Sequence, residues 1–377
     1  MAVAAAKELP AAGILPGQAI AALYREGAIQ GPAFEPGQVQ PASLDLRLGR
    51  QAWRVRASFL PSTGTSIAER LENLSLHRFD LDAEGEVLEQ GCVYLVELEE
   101  RFRLPGDLVA STNPKSSTGR LDVFTRVIGD RVAAFDAVPA GYAGPLYLEI
   151  SPRTFPILVR RGSKLAQIRF RRGEAKLDGK ALAALQARER LVDAADANLA
   201  MGAVAVSVDL SGLGSAGLAG FRAKKHTGLI DVDRRGAYEV GDFWEPLPAH
   251  GTHGTRGLVL DPDAFYILAS KEAVHVPPDY AAEMVPFDPL VGEFRVHYAG
   301  FFDPGFGHAA AGGSGARAVL EVRSREVPFI LEHSQIVGRL VYERMTERPQ
   351  TLYGEAPGSN YQAQSLKLSK HFKPYQP

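Results

Sequence analysis

Hydrophobic residues recur along this chain at two different spacings. Across residues 16–29, Ile20, Leu23 and Tyr24 fall three or four apart among helix formers and the stretch ends at Gly27, which predicts a short amphipathic helix. Beyond it the signal becomes β: residues 43–48, 92–96 and 146–150 have strand composition and are separated by Gly and Pro turns. Residues 180–198 return to Ala, Leu and Val at helical spacing without Gly or Pro, so a helix should join two β regions. The expected fold is therefore mainly β, a sandwich or barrel and not a series of βαβ units. Three segments follow: a first domain over 1–176, a helical linker over 177–200, and a second domain with a tail over 201–377.

The order of the first β region recurs in the second. Val87-Leu88-Glu89, Tyr94-Leu95 and Leu104-Pro105 are echoed by Val259-Leu260-Asp261, Tyr266-Ile267 and Val276-Pro277. Gly144-Pro145-Leu146-Tyr147-Leu148-Glu149-Ile150 is answered by Ala316-Arg317-Ala318-Val319-Leu320-Glu321-Val322, and Pro156-Ile157-Leu158 by Pro328-Phe329-Ile330. Several matches in one order predict one domain written twice.

Composition narrows the partners. With 377 residues, 45% hydrophobic and 23% charged, the chain is long enough for two packed cores. A net charge of −2 gives no field to draw nucleic acid or an anionic membrane, so any polyanion must be held by local donors. The single cysteine, Cys92, excludes an intrachain disulfide framework and fits a reducing compartment. No apolar run approaches the roughly 20 residues of a membrane span, and the Ala-rich start lacks a signal peptide's basic region. A cytoplasmic protein is expected.

Four segments carry candidate chemistry. Lys115-Ser116-Ser117-Thr118-Gly119-Arg120 sets two cations and three hydroxyls within six positions, enough to wrap a phosphate, with Arg120 able to bind in bidentate fashion. A capped polar turn opening a helix gives the same string. Glu149 and Glu321 occupy matching places beside apolar Leu148, Ile150, Leu320 and Val322, so alternation puts each carboxylate on the face opposite the core. A rigid strand there suits a general base; a solvated strand position is the plain alternative. Asp303-Pro304-Gly305-Phe306 reads as a tight turn offering a carboxylate and a flat ring to a deoxyribose, or as an ordinary hairpin turn. Gly212-Leu213-Gly214-Ser215-Ala216-Gly217 matches GxGxxG, but no βαβ unit follows, so an interdomain loop is expected. His250, His253 and His308 lie in Gly-rich stretches without metal-ligand spacing.

Together these segments resemble the dCTP deaminase branch of the dUTPase-like superfamily over most of both halves. Residues 16–29 look like its opening helix, Pro41-Ala42-Ser43-Leu44-Asp45-Leu46-Arg47-Leu48-Gly49 like its first strand motif, and residues 115–120 like its serine-rich triphosphate loop. Glu149 and Glu321 fall at its catalytic glutamate. Ala299-Gly300-Phe301-Phe302-Asp303-Pro304-Gly305-Phe306 looks like its sugar-binding hairpin, and Ser359-Asn360-Tyr361-Gln362-Ala363-Gln364 like the tail that folds over the nucleotide. The halves have diverged in complementary ways. Where the second should have its serine loop stands Val285-Pro286-Phe287-Asp288-Pro289-Leu290, and where the first should have its hairpin stands Phe135-Asp136-Ala137-Val138-Pro139-Ala140-Gly141-Tyr142.

The resemblance implies two tandem dUTPase-like domains, a homo-oligomer with sites at domain interfaces, and dCTP as substrate. It implies hydrolytic deamination to dUTP and ammonia, with a glutamate as base and Ser116 and Arg120 positioning water or phosphate. Lys115 and Ser117 would bind phosphate, Asp303, Gly305 and Phe306 the sugar, and backbone near Ala299 the base edge. Tyr361 and Gln364 would close the site. Mg²⁺ would accompany the triphosphate without protein-bound zinc, because zinc deaminases use H-x-E with P-C-x-x-C and one cysteine cannot supply that set. The rivals are a dUTP pyrophosphatase, a bifunctional enzyme making dUMP, and a non-catalytic nucleotide-binding protein. A composite site, with residues 115–120 facing Asp303, Phe306 and Glu321, makes a ranking: Glu321→Gln should abolish turnover with little effect on folding, while Glu149→Gln should be milder. Steady-state kinetics on both variants checks it, and the reverse ranking would sink the division of labour.

Overall fold

Two β stacks of similar plan follow from the alternating segments. The computed structural model describes residues 11–194, 197–213, 217–249, 257–286, 294–296, 300–324, 326–355, 361–362 and 364–376. In the first half, strand Val93–Arg103 pairs antiparallel with Leu48–Val55 and Ala143–Pro152, and the latter pairs with Val123–Gly129. A second sheet sets Ala166–Arg172 between Leu108–Pro114 and the short Gly13–Ile14, with Leu44–Leu46 also on it. In the second half, Phe265–Val274 lies between Leu218–Ala223 and Ala316–Ser324, while Ile336–Arg344 pairs with Val204–Ser207 and Tyr280–Pro286. Facing sheets bury Leu146, Leu148, Ile150, Ile168 and Phe170 in one core and Leu268, Leu320, Val322, Leu340 and Tyr342 in the other.

The opening helix runs Gly17–Arg25 with Ile20 and Leu23 buried, and Pro16 stands at its N-cap. The linker helix is shorter than expected. It spans Gly179–Glu189, started by Asp178 Oδ1 accepting from Ala181 N at 2.7 Å, and stops at Arg190, which is left-handed at φ 51°. Leu191 and Val192 then turn into the second core, where Val192 bridges to Val274, so burial overrides the helical spacing of residues 191–198. The GxGxxG stretch leads into strand Leu218–Ala223 and not into a helix; its Gly214, Ser215 and Ala216 lie outside the described residues, as do His250 and His253.

The halves interlock. Ile230–Asp231 from the second half adds a parallel strand to Ile157–Val159 of the first. Phe243 and Trp244 stack edge-on against Phe155 at 5.6 and 5.5 Å, and Phe372 packs on Phe243 at 5.5 Å. The first core therefore contains Phe243, Trp244, Ile267, Val319 and Phe372, all from the second half. Truncating Phe372 to Ala is expected to cost about 3–5 kcal/mol, and to destabilise the first-half strand Val93–Arg103 along with the second half. Urea denaturation combined with hydrogen exchange reads both effects.

Candidate active site

One strand position acquires two different environments. Alternation does put Glu149 and Glu321 on the face away from each core, yet both are buried, because something covers each face. Over Glu149 the cover is local: Val55, Ile67 and Leu71 close that side, with Phe59 and Leu60 packed against them. Glu149 is tied to Arg126 at 2.7 Å; Arg126 also donates to Ser58 Oγ and lies 3.7 Å over the Phe135 ring. Asp136, where the hairpin aspartate would stand, accepts from Thr112 Oγ1 and Val127 N at 2.8 Å, and burial pushes its pKa up to about 6. Neither Glu149 nor Asp136 lines the cleft described next.

Over Glu321 the cover is the other half's serine loop. Strand Leu108–Pro114 ends in Lys115 and a single helical turn, Ser116–Gly119, whose N-cap Lys115 makes no side-chain capping bond, so the turn is there without the cap. Lys115 Nζ pairs with Asp45, and Ser117 O accepts from Ser369 Oγ at 2.8 Å. Arg120 is fixed on three sides. Its Nη1 donates to Lys367 O at 2.9 Å, its plane lies 3.8 Å over the Tyr361 ring, and its Nε stands 3.8 Å from Glu321 Oε1 with no hydrogen-bond partner. That gap is too long for a hydrogen bond and leaves the buried carboxyl and guanidinium facing each other across a cleft.

The second half supplies the remaining walls. Phe301–Phe302 leads into the turn at Asp303, closed by Phe306 N donating to Asp303 O at 3.1 Å. Gly305 has φ +96°, and a Cβ there would lie 2.8 Å from Leu352 Cβ, so both conformation and space require glycine. Asp303 accepts from Arg169 Nη2 of the first half at 3.2 Å, and burial raises its pKa against the lowering effect of Arg169. Phe306 stands edge-on to Phe302 at 5.0 Å. Gln364 Nε2 donates to Arg317 O at 2.9 Å, leaving its buried Oε1 without a partner at the cleft. Ala299, Ser359, Asn360, Ala363 and residues 287–290 lie outside the described residues.

The structure thus brings together Lys115, Ser116, Ser117, Arg120, Asp303, Phe306, Glu321, Tyr361 and Gln364. It adds Asp45 of the first strand motif, and Lys164, Arg235, Tyr353 and Lys370, which motif reading missed. Lys115, Lys164, Arg235 and Lys370 place cations on the cleft wall beside the carboxylates of Asp45, Asp233 and Asp303, and burial, followed by the charges of Lys115 and Arg235, pushes the Lys370 pKa down to about 8. An anion is the matching ligand. Among the described residues no group of three or more His, Cys, Asp or Glu is placed to hold a metal.

A nucleotide-sized cleft with an anionic-ligand wall, shared between two β stacks, defines an enzyme of the dUTPase-like class. The chain belongs to the dCTP deaminase family: residues 11–174 match the family's 2'-deoxycytidine 5'-triphosphate deaminase N-terminal domain and residues 178–372 its C-terminal domain. The crystal structure of 2'-deoxycytidine 5'-triphosphate deaminase from Agrobacterium tumefaciens is 60% identical, with a TM-score of 0.86 over 92% of this chain and 99% of that one. A dUMP-forming dCTP deaminase of Methanoculleus marisnigri is 33% identical over 39% of this chain and 74% of its own length. A dCTP deaminase of Natronomonas pharaonis is 30% identical over 35% and 66%.

Burial pushes the Glu321 pKa up to about 8 from an ordinary 4.5, against the opposing charge of Arg120. The folded carboxyl then holds a proton that the unfolded chain releases above its own pKa, so its contribution to stability is full below about pH 4.5 and is lost as pH rises toward 8. Glu321→Gln removes that loss. Its melting temperature should match the wild type near pH 4.5 and exceed it increasingly up to pH 8, by on the order of a few kcal/mol in stability; calorimetry across pH reads the difference.

Proposed function

We propose that this chain hydrolyses dCTP to dUTP and ammonia in the composite cleft, with Glu321 as general base and Glu149 as a structural ion-pair member. The observation that carries the reading is the buried Glu321 facing Arg120 across the two halves. Water attacks C4 of the cytosine ring while Glu321 takes a proton from it and passes that proton to ring N3. A second proton, from the new C4 hydroxyl, goes through Glu321 to the leaving amine as the C–N bond breaks and the carbonyl forms. Arg120 and Ser116 hold water and phosphate in place, and Asp303 with Phe306 takes the deoxyribose. Lys115, Lys164, Arg235 and Lys370 hold the triphosphate, with Mg²⁺ travelling as part of the substrate complex.

The same reading makes the chain a tandem form of one domain. Matching strand positions of Glu149 and Glu321 support this, and so does the complementary loss of hairpin and loop. A cytoplasmic enzyme, assembled as a homo-oligomer, is the setting that fits the family resemblance and the single cysteine. The dUMP-forming relative makes a two-step reaction the second reading.

Product analysis separates the readings. Equimolar ammonia and dUTP are expected from dCTP, whereas dUMP with pyrophosphate would give the bifunctional reading, and tight dCTP binding without ammonia would give a binding protein. Because the free enzyme must lose the Glu321 proton to act, while Lys370 loses its charge above about 8, kcat/KM should rise with pH toward about 8 and fall beyond it. A flat profile from pH 6 to 9 would overturn Glu321 as the base.

A further inference from the structure

Glu321 and Arg120 do not hydrogen-bond each other, so something else must set the 3.8 Å between them. Two residues further along each segment stand Arg323 and Asp122. On strand Ala316–Ser324 the two-residue spacing puts Arg323 on the same face as Glu321, and Asp122 follows Arg120 out of the serine loop. The two cross-half pairs therefore have opposite polarity: the second half offers an acid and then a base, and the first half a base and then an acid. We propose that the Arg323–Asp122 pair is a positioning pair that holds the Glu321–Arg120 couple at its working separation, a role that rests on reading that couple as the catalytic one.

The second pair is closed where the first is open. Arg323 Nη2 bonds the Asp122 carboxylate and donates to Thr154 Oγ1 at 3.1 Å, while Thr154 Oγ1 donates to Asp122 Oδ2 at 2.6 Å. Arg323 Nη1 donates to Asp263 O at 2.6 Å. Both side chains are buried, at 9% and 1% exposure, so the pair is unscreened and rigid. Asp122 itself is left-handed at φ 55°, a costly conformation for aspartate, and Arg153 N secures it by donating to Asp122 O at 2.9 Å.

The first half differs at the matching place. Two residues beyond Glu149 stands Ser151, and Glu149 pairs at 2.7 Å with Arg126, which lies directly opposite it on the adjacent strand. Had Glu321 closed on Arg120 in the same way, neither the unpartnered Arg120 Nε nor the carboxylate would face the cleft. Anchoring the strand two residues away keeps the loop near without letting it close.

The test is a set of variants away from the cleft: Arg323→Met, Arg323→Lys, Asp122→Asn and Thr154→Val, assayed for ammonia release across pH, with dCTP binding measured separately. Arg323→Met and Asp122→Asn should lower kcat by about 10- to 100-fold, with dCTP affinity within about threefold of wild type and the kcat/KM profile shifted below pH 8. Arg323→Lys should recover part of the loss. Thr154→Val keeps both charges and the fold and should show the same pH shift at smaller amplitude; it decides the matter if Arg323→Met does not fold. Variants that lose only melting temperature, with kcat and pH profile unchanged, would make the pair merely structural and overturn the proposal. Full activity in Glu321→Gln would instead overturn the reading of the catalytic couple.

Discussion

Everything at the site depends on one buried face of one strand. When a carboxylate sits on the outer side of a sheet, its chemistry is decided by what covers it. Local chain covers Glu149 and hands it an arginine from the neighbouring strand, so it becomes part of the scaffold. Glu321 is covered from the other half by a loop whose arginine stops short, which leaves the carboxyl desolvated and uncommitted. The same residue in the same strand position is closed on an arginine in one case and held 3.8 Å from one in the other, and the surroundings make the difference.

That cover explains why the halves interlock so deeply. A loop resting on a foreign sheet must be held to within fractions of an ångström, and a smooth interface between two domains would slide. Strand addition by Ile230–Asp231, the aromatic stack of Phe155 with Phe243 and Trp244, and the Arg169–Asp303 and Arg323–Asp122 pairs each remove one way of sliding.

Much of this was legible in the amino-acid order. Strand alternation, the serine loop, the Asp-Pro-Gly turn and the complementary losses in each half are local signals, and together they point to residues 115–120 facing the second half's hairpin, where the cleft lies. Lys370, Arg235, Lys164 and Tyr353 were not legible because each comes from a segment whose path is set by tertiary packing. Residues 232–235 reach the cleft only because the strand before them adds to the opposite half. The linker helix ends early for a similar reason: helix propensity favours continuing past Arg190, but burying Leu191 and Val192 wins. Glu149 was indistinguishable from Glu321 by sequence, since what covers a strand face is not written in the strand.

The exchange of aromatic residues also orders events in time. The first half leaves the ribosome first, yet its core is incomplete until Phe243, Trp244 and Phe372 arrive from far downstream. Until then Phe155 faces water, and the serine loop lacks the Ser369 contact that steadies it. Synthesis therefore passes through a long interval in which the loop at residues 115–120 exists without its partner wall, and the cleft comes into being only as residues 364–372 thread back onto the sheets of the first half.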